Sequence, residues 1–296
     1  MLTSLQRLSR RLYAGQAARR WKFMLRSLVY ARSHRAWLRY LGAHPWMLRV
    51  VVPRPELLER LHRPYQCVRF DRWARLHALR SHYDVCAQIG WQSLCRRMAR
   101  APVALARIAA ADGATHAVEL CYDTRFGKEG EWVLNLSRDA SRCYTMVLGF
   151  RRQAQAHGLY IGCIQGPDGP DARDRVRGLT KALHGARPRD LLLEAVRELA
   201  RCAGCSRLEL VSDAQHIYRS LRKRRSLCFS YDRFAAEAAG QRNAARCWDL
   251  PLQAPCRPLG QVDSRKRAVT ARRRALLDDL RQQIRDACAG GARAPR

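Results

Sequence analysis

Acidic residues are scarce. The 296-residue chain carries 25 Asp and Glu against 56 Lys and Arg, and none occurs before Glu56. A net charge of +31 argues against an acidic, solvating protein. It points to anionic counterparts: nucleic acid, acidic lipid head groups, lipopolysaccharide phosphates or anionic cofactors. Lysine is scarce too, limited to Lys22, Lys128, Lys181, Lys223 and Lys266. The charge is thus nearly all arginine, a pattern that GC-rich coding also produces, so charge alone selects no partner. No run of about twenty apolar residues occurs, so no transmembrane helix is expected. The N-terminus is studded with arginine and lacks the apolar stretch of a secretory signal, so a cytoplasmic protein is expected. G-x-S-x-G, P-loop and H-E-x-x-H patterns are missing, which removes the usual signals for a serine hydrolase, an NTPase and a zinc protease. The 12 cysteines form no framework. Cys202 and Cys205 make one C-x-x-C without a second ligand pair, so no metal is expected. Unpaired thiols suit a reducing compartment.

Hydrophobic residues make up 47% of the chain, enough for one large core or two modest ones. Residues 1 to about 40 place Leu5, Leu8, Leu12, Phe23, Leu25, Leu28, Val29, Trp37, Leu38 and Leu41 at helical spacing with arginines between them. This pattern predicts one or two amphipathic basic helices. They either pack on their own domain or lie on an anionic membrane, where tryptophan and arginine suit the head-group boundary. Pro45, Pro53, Pro55 and Pro64 mark loops. Helices are predicted near Arg69–Cys86 and Trp91–Ala110, the second broken at Pro102. Four short segments rich in β-branched and aromatic residues follow: THAVELCY, EWVLNLS, RCYTMVLGF and GLYIGCIQ. Their close spacing predicts an antiparallel meander. Then come two helices, a strand at Leu208–Ser212, a helix from Asp213 to Arg222, irregular YDRFAAEAAG and WDLP segments, and a basic helix from Lys266 to Ile284. Composition divides the chain into a basic helical region at 1–112, an α/β domain at 113–260, and a basic C-terminal helix and tail at 261–296.

The stretch Leu159–Asp190 looks most like a site. A buried strand ends at Gln165-Gly166, and a helix opens at Pro188 with Arg187 and Arg189 beside it. Amides and peptide dipoles at such a helix start favour an anion. His184-Gly185-Ala186-Arg187-Pro188 is the candidate anion loop, although an ordinary interhelix turn would read the same. A crossover would lay Leu208–Ser212 parallel beside the strand that ends at Gln165. Parallel neighbours that splay apart leave a cleft at their C-terminal ends. This α+β order, with its mixed antiparallel and parallel sheet and helical N-terminal extension, resembles GNAT-type acyltransferases. In that fold the acyl-CoA pyrophosphate sits on the helix after the fourth strand.

The resemblance implies an acyl-CoA or other acyl thioester as cofactor. Gly166, Gly185, Arg187, Pro188 and Arg189 would bind it, and Gln165 with Gly166 would polarise its carbonyl. Tyr218 would protonate the leaving thiolate and Glu129 would serve as base for an amine or hydroxyl nucleophile, with His82 and His184 as further titratable candidates. A core tyrosine and an arginine-paired surface carboxylate are the plainer readings of Tyr218 and Glu129. The basic stretch Arg219–Arg225 and the Arg272–Arg274 region could contact phosphates. No helix-turn-helix, RNP or zinc-finger signature accompanies them, so sequence-specific nucleic-acid binding is not expected.

Several blocks together resemble the VirK (VirK/YbjX) family of Gram-negative bacteria. They are His44-Pro45, His82-Tyr83, KEGE at Lys128–Glu131, IGCIQG at Ile161–Gly166, LTKALHGARPRDLL at Leu179–Leu192, VSDAQHIYR at Val211–Arg219, YDRF from Tyr231, WDLP at Trp248–Pro251 and KRAVTARRRALLDDL at Lys266–Leu280. An aromatic-acidic pair expected after Phe234 is replaced here by Ala235-Ala236. The resemblance implies a role in virulence, envelope maintenance and resistance to cationic antimicrobial peptides. It fits a cytoplasmic protein held peripherally at the inner membrane. It supplies no reaction and no protein partner.

Overall fold

A computed structural model describes residues 10, 13–219, 229–256 and 258–292. Its N-terminal layer is helical: α1 (Ala17–Val29), α2 (Ala31–Ala43), α3 (Pro45–Val51), a 3-10 helix (Pro55–His62), α4 (Arg72–Gln88) and α5 (Gln92–Met98). Two of these starts have a clear local cause. Pro45 opens α3 at a position whose N–H would have no partner. The Asp71 carboxylate caps α4, accepting the Trp73 and Ala74 amides at 3.0 and 2.8 Å.

The helix predicted over Trp91–Ala110 is corrected. It ends as α5 at Met98, and Val103–Ala109 forms the strand β1. Pro102 separates the two. The alternation of buried Val103, Leu105 and Ile108 with exposed Ala104, Arg107 and Ala109 shows one face inward. The predicted meander is present as β2 (Thr115–Cys121), β3 (Trp132–Arg138), β4 (Ser141–Gln153) and β5 (Ala156–Gln165). Two helices follow, α6 (Ala172–Ala182) and α7 (Pro188–Cys202), and return the chain to β6 (Arg207–Leu210). β6 lies parallel to β5, as the crossover requires.

The predicted helix from Asp213 to Arg222 is not formed over the described part. Asp213–Gln215 turns, and Ile217–Arg219 is a 3-10 helix. Residues 220–228 lie outside the described residues, and with them the basic stretch after Arg219. The segment read as irregular contains α8 (Tyr231–Glu237), β7 (Gln241–Arg242) and β8 (Trp248–Leu250). The described strands form one eight-stranded mixed sheet in the order β1-β2-β3-β4-β5-β6-β8-β7. The fold is α+β.

The long C-terminal helix α9 (Ser264–Ala292) packs against α7 and β1. Leu280, Ile284 and Cys288 are buried along it. Arg281 and Arg285 pair with Glu194 and Glu198 of α7 at 2.6 and 3.1 Å. Gln283 bonds both backbone groups of Arg107 on β1, at 2.8 and 2.9 Å.

The helical layer is joined to the sheet by aromatic packing and buried polar contacts. Trp132 and Phe150 of the sheet meet His82 of α4 and Trp91. The Phe150 amide donates to His82 Nδ1 at 3.1 Å. Arg60 and Tyr83 converge on the buried Glu131 carboxylate at 3.1 and 2.7 Å. The Gln66 amide donates to the Lys128 carbonyl at 2.6 Å.

Candidate functional site

The site forms where β5 outruns β6. Pairing between them covers Gly158 to Ile161, closed by the Val211 amide on the Ile161 carbonyl at 2.9 Å. Beyond it β5 continues alone on that side to Gln165. A register shift against β4, between Val147 and Leu148, falls at the same place and leaves Gly162 as the extra residue. Gly162 is required there, because an added Cβ would stand 2.0 Å from the Glu129 carbonyl oxygen.

Two groups of side chains enter this gap. The first comes from α8. Ser230 caps α8 through its hydroxyl, which accepts the Arg233 amide at 3.2 Å. Asp213, just past β6, accepts the Tyr231 amide at 2.7 Å and the Ser230 hydroxyl at 3.1 Å. Tyr231 is thereby driven into the gap. Its hydroxyl accepts the Ile164 amide at 3.2 Å and donates to the Cys163 sulfur. His216 stacks on its ring at 4.8 Å.

The second group comes from the loop before β3. Glu129 is 1% exposed. Its carboxylate accepts the Lys128 amide at 3.2 Å and the Tyr218 hydroxyl. Burial raises the Glu129 carboxyl above its ordinary 4.5. Burial, then the Glu129 charge, raises Tyr218 as well. Burial pushes the Cys163 thiol up to about 12, which makes it a poor nucleophile.

Glu129 and Tyr218, proposed separately from sequence, are thus hydrogen-bonded partners. Glu129 is therefore not the arginine-paired surface carboxylate of the plainer reading. Its equally buried neighbour Glu131 takes no part here, being committed to Arg60 and Tyr83.

The arginine corner is open to solvent. Arg187, Pro188 and Arg189 line a cleft of ≈ 620 Å³ with Tyr144, Phe229 and Glu237. Gly166 reaches it indirectly, its Cβ position lying 2.7 Å from the Tyr144 ring. Gln165 ends β5 opposite Thr145. In the α6–α7 turn, His184 and Gly185 are left-handed, with φ of 52 and 80°. The corner offers side chains more than amides. Gly185 and Ala186 donate to the Thr180 and Leu183 carbonyls at 2.8 and 3.0 Å. Asp190 and Leu191 both donate to the Arg187 carbonyl, and Pro188 has no N–H.

Glu237 already provides a negative charge to this corner. It pairs with Arg187 at 3.6 Å and with Arg189 more closely. Tyr218 does not line the cleft. Tyr231 and Phe229, edge to face at 5.1 Å, stand between it and the arginines.

Tyr231, Cys163 and Asp213 were not legible as site residues. The available signal was Ser230 before YDRF, a capping serine that starts a helix at Tyr231. Among the described residues, no three His, Cys, Asp or Glu side chains gather as a metal site would require. No described helix is long and apolar enough to cross a membrane.

The sequence model of a family described as proteins of unknown function, DUF535, matches residues 13–286. The chain is 29% identical to the uncharacterized protein YbjX of Escherichia coli K12 over 271 residues, covering 90% of this chain and 82% of YbjX. It is 25% identical to an uncharacterized protein of Haemophilus influenzae, covering 91% and 89% of the two chains. A shorter likeness, 34% over 76 residues, joins 26% of this chain to 33% of the membrane protein LapB of Mannheimia haemolytica. No solved structure matches. With the match running through nearly every element of the fold, the chain belongs to the DUF535 family, which is the VirK/YbjX family.

Proposed function

We propose that the protein is an acyl-CoA-type acyltransferase of GNAT-like topology, acting on an amine or hydroxyl of an envelope component. One observation carries this reading. The parallel strands β5 and β6 part after Ile161, and the buried Glu129 carboxylate, hydrogen-bonded to the half-buried Tyr218 phenol, lies at the gap, with an arginine-lined cleft beyond Tyr231 and Phe229.

Arg187 and Arg189 would hold the pyrophosphate at the start of α7, with Gly185 and Pro188 shaping the turn. The thioester carbonyl would take the Ile164 amide in place of the Tyr231 hydroxyl, next to Gln165 and Gly166. Glu129, whose carboxyl burial raises above its ordinary range, would remove the proton from the incoming amine or hydroxyl as it attacks the carbonyl carbon. As the C–S bond breaks, Tyr218 would give its proton to the leaving sulfur. Their hydrogen bond then lets Glu129 return a proton to Tyr218. His184 contributes from the turn and not from this proton path.

The test is thermal stabilisation by acetyl-CoA and by long-chain acyl-CoA. A shift that disappears in Arg187→Ala and Arg189→Ala supports the reading. Absence of any shift at millimolar ligand overturns it.

A second reading, a non-catalytic factor that binds anionic lipid, rests on a different element. On α1, Trp21, Leu25, Leu28 and Val29 are 67, 64, 42 and 62% exposed, on the side away from the buried Phe23 and Ser27. Arg20, Lys22 and Arg26 lie among them. An apolar stripe set among cations suits the head-group boundary of an anionic membrane. The name of the Mannheimia haemolytica relative, membrane protein LapB, agrees with that location. Peripheral attachment at the inner membrane and a part in antimicrobial-peptide resistance would follow from either reading. Sedimentation with anionic and neutral vesicles separates the two: lipid binding that persists without any response to acyl-CoA favours the second.

A further inference from the structure

The helical layer holds a second concentration of positive charge, remote in sequence from Arg187 and Arg189. Arg49 of α3, Arg96 and Arg97 in the last turn of α5, and Arg100 just beyond line one concavity of ≈ 480 Å³ with Ser93 and Val103. No carboxylate lines it. Among the described residues none of the four guanidinium groups belongs to an ion pair.

Other exposed arginines of the described residues, Arg107, Arg173, Arg265 and Arg272 among them, also lack an ion pair, but those four do not line a common hollow. Neighbouring Arg54 pairs with Glu56 at 3.9 Å and donates to the Ala99 carbonyl at 2.9 Å. Arg60, Arg151, Arg197 and Arg281 each have a carboxylate partner. The α5 C-terminus favours Arg96 and Arg97 through the helix dipole. It does not explain why Arg49 and Arg100 arrive at the same hollow from two other segments. Four like charges brought together repel one another, and a multiply charged anion relieves that repulsion. Guanidinium forks match phosphate oxygens in geometry.

Exposed apolar residues close to Arg49 along the chain point to the carrier of the phosphates. Leu48 and Val52 stand on either side of Arg49 in sequence, one helical turn apart, and are 50 and 73% exposed. A soluble phosphate has no use for such apolar neighbours, whereas a lipid presents its phosphates at the boundary of an acyl layer. We infer that the Arg49–Arg96–Arg97–Arg100 hollow is a head-group site for a lipid bearing more than one phosphate. This site goes beyond the α1 membrane reading, because α1 asks for anionic surface in general and the hollow asks for clustered phosphates.

The experiment uses the full chain and vesicles of equal total charge, made with phosphatidylcholine plus either cardiolipin or phosphatidylglycerol. Cardiolipin carries two phosphates on one head group. The wild-type protein is expected to bind cardiolipin vesicles at least about tenfold more tightly than phosphatidylglycerol vesicles. The variant with Arg49, Arg96, Arg97 and Arg100 changed to Ala is expected to lose that preference while retaining phosphatidylglycerol binding. A control with Arg107, Arg173, Arg265 and Arg272 changed to Ala removes the same charge elsewhere and is expected to keep the preference.

Equal loss in both variants would overturn the proposal in favour of diffuse attraction. So would an unchanged preference in the first variant. Stabilisation by inorganic pyrophosphate that depends on the four arginines, without vesicle binding, would overturn the lipid assignment. Failure of phosphatidylglycerol binding alone would count against α1 and leave the hollow standing. Melting temperatures of both variants report whether the fold survives.

Discussion

The Tyr231 hydroxyl accepts the Ile164 backbone N–H at 3.2 Å, in the place on β5 where a longer β6 would have supplied a carbonyl. The bond satisfies an amide that the parting of the strands would otherwise leave unpaired. Tyr231→Phe removes the acceptor without removing the ring. The expected cost is about 1–3 kcal/mol of stability, read as a lower urea midpoint with an unchanged denaturant slope. A midpoint equal to wild type would mean that the amide finds another partner.

Glu237 stands where the proposed pyrophosphate would bind. Glu237→Gln releases Arg187 and Arg189 from their carboxylate and should tighten acyl-CoA binding roughly three- to tenfold. Isothermal titration measures it directly. Weaker binding in this variant would mean that Glu237 organises the arginines and does not compete with the ligand.

Glu129 gives the site a pH signature. Its carboxyl is raised in the fold, so the folded protein holds a proton that the unfolded chain releases near 4.5. The stability from that proton is present below 4.5 and is lost as the pH rises through the folded value. Glu129→Gln keeps the neutral form at every pH. Its stability relative to wild type should therefore grow as the pH rises from 4.5 to the folded value and level off above it, by at most about 1.4 kcal/mol per pH unit. Urea melts across that range check it, and a difference that does not change with pH would refute it.

Histidines pull the other way. Burial lowers His62 and His82 to about 3, and His34 and His216 to about 4, from an ordinary 6.5. Below 6.5 the unfolded chain takes up protons that the fold refuses, so stability falls as the pH drops toward 4. Each histidine contributes up to about 1.4 kcal/mol per pH unit. The raised carboxyls of Glu129, Glu131 and Asp190 oppose this but are fewer. Net destabilisation from pH 6.5 to 4.5 is the expected result of melts in that window.

The close approach at Gly162 predicts a large effect from a small change. In Gly162→Ala the new methyl would meet the Glu129 carbonyl at 2.0 Å, a backbone atom that cannot step aside. The expected loss is about 1–3 kcal/mol or more, together with a displaced Glu129. Circular dichroism melts report the first, and loss of the Glu129 pH signature reports the second.

Periodicity made the meander and its parallel sixth strand readable, because Val, Ile, Leu and aromatic residues alternate there over short runs bounded by turns. It failed at Val103–Ala109, where VALARIA fits a helix as well as a strand and only pairing with β2 decides. It failed again at Tyr231, whose helix is held by Asp213 and by the cap at Ser230 and not by an apolar stripe. Glu129 and Tyr218 were each legible as unusual, an acid in a basic chain and a tyrosine after the last strand of the crossover. Their hydrogen bond was not, since it depends on the loop at Glu129 crossing β5 at Gly162. Cys163 read as one more small hydrophobe and is nearly that, apart from the hydrogen bond its sulfur accepts from the Tyr231 hydroxyl.

The Arg60–Glu131 pair is sealed from solvent and ties the helical layer to the loop that carries Glu129. Gly127 is part of the same fastening, since a methyl there would overlap the Arg60 guanidinium. Trimming the chain down to its sheet would strand Glu131 as a bare anion in an apolar interior, a far larger penalty than losing a few contacts. A shortened version intended to isolate the cleft is therefore expected to come out insoluble, and useful dissection must proceed one side chain at a time.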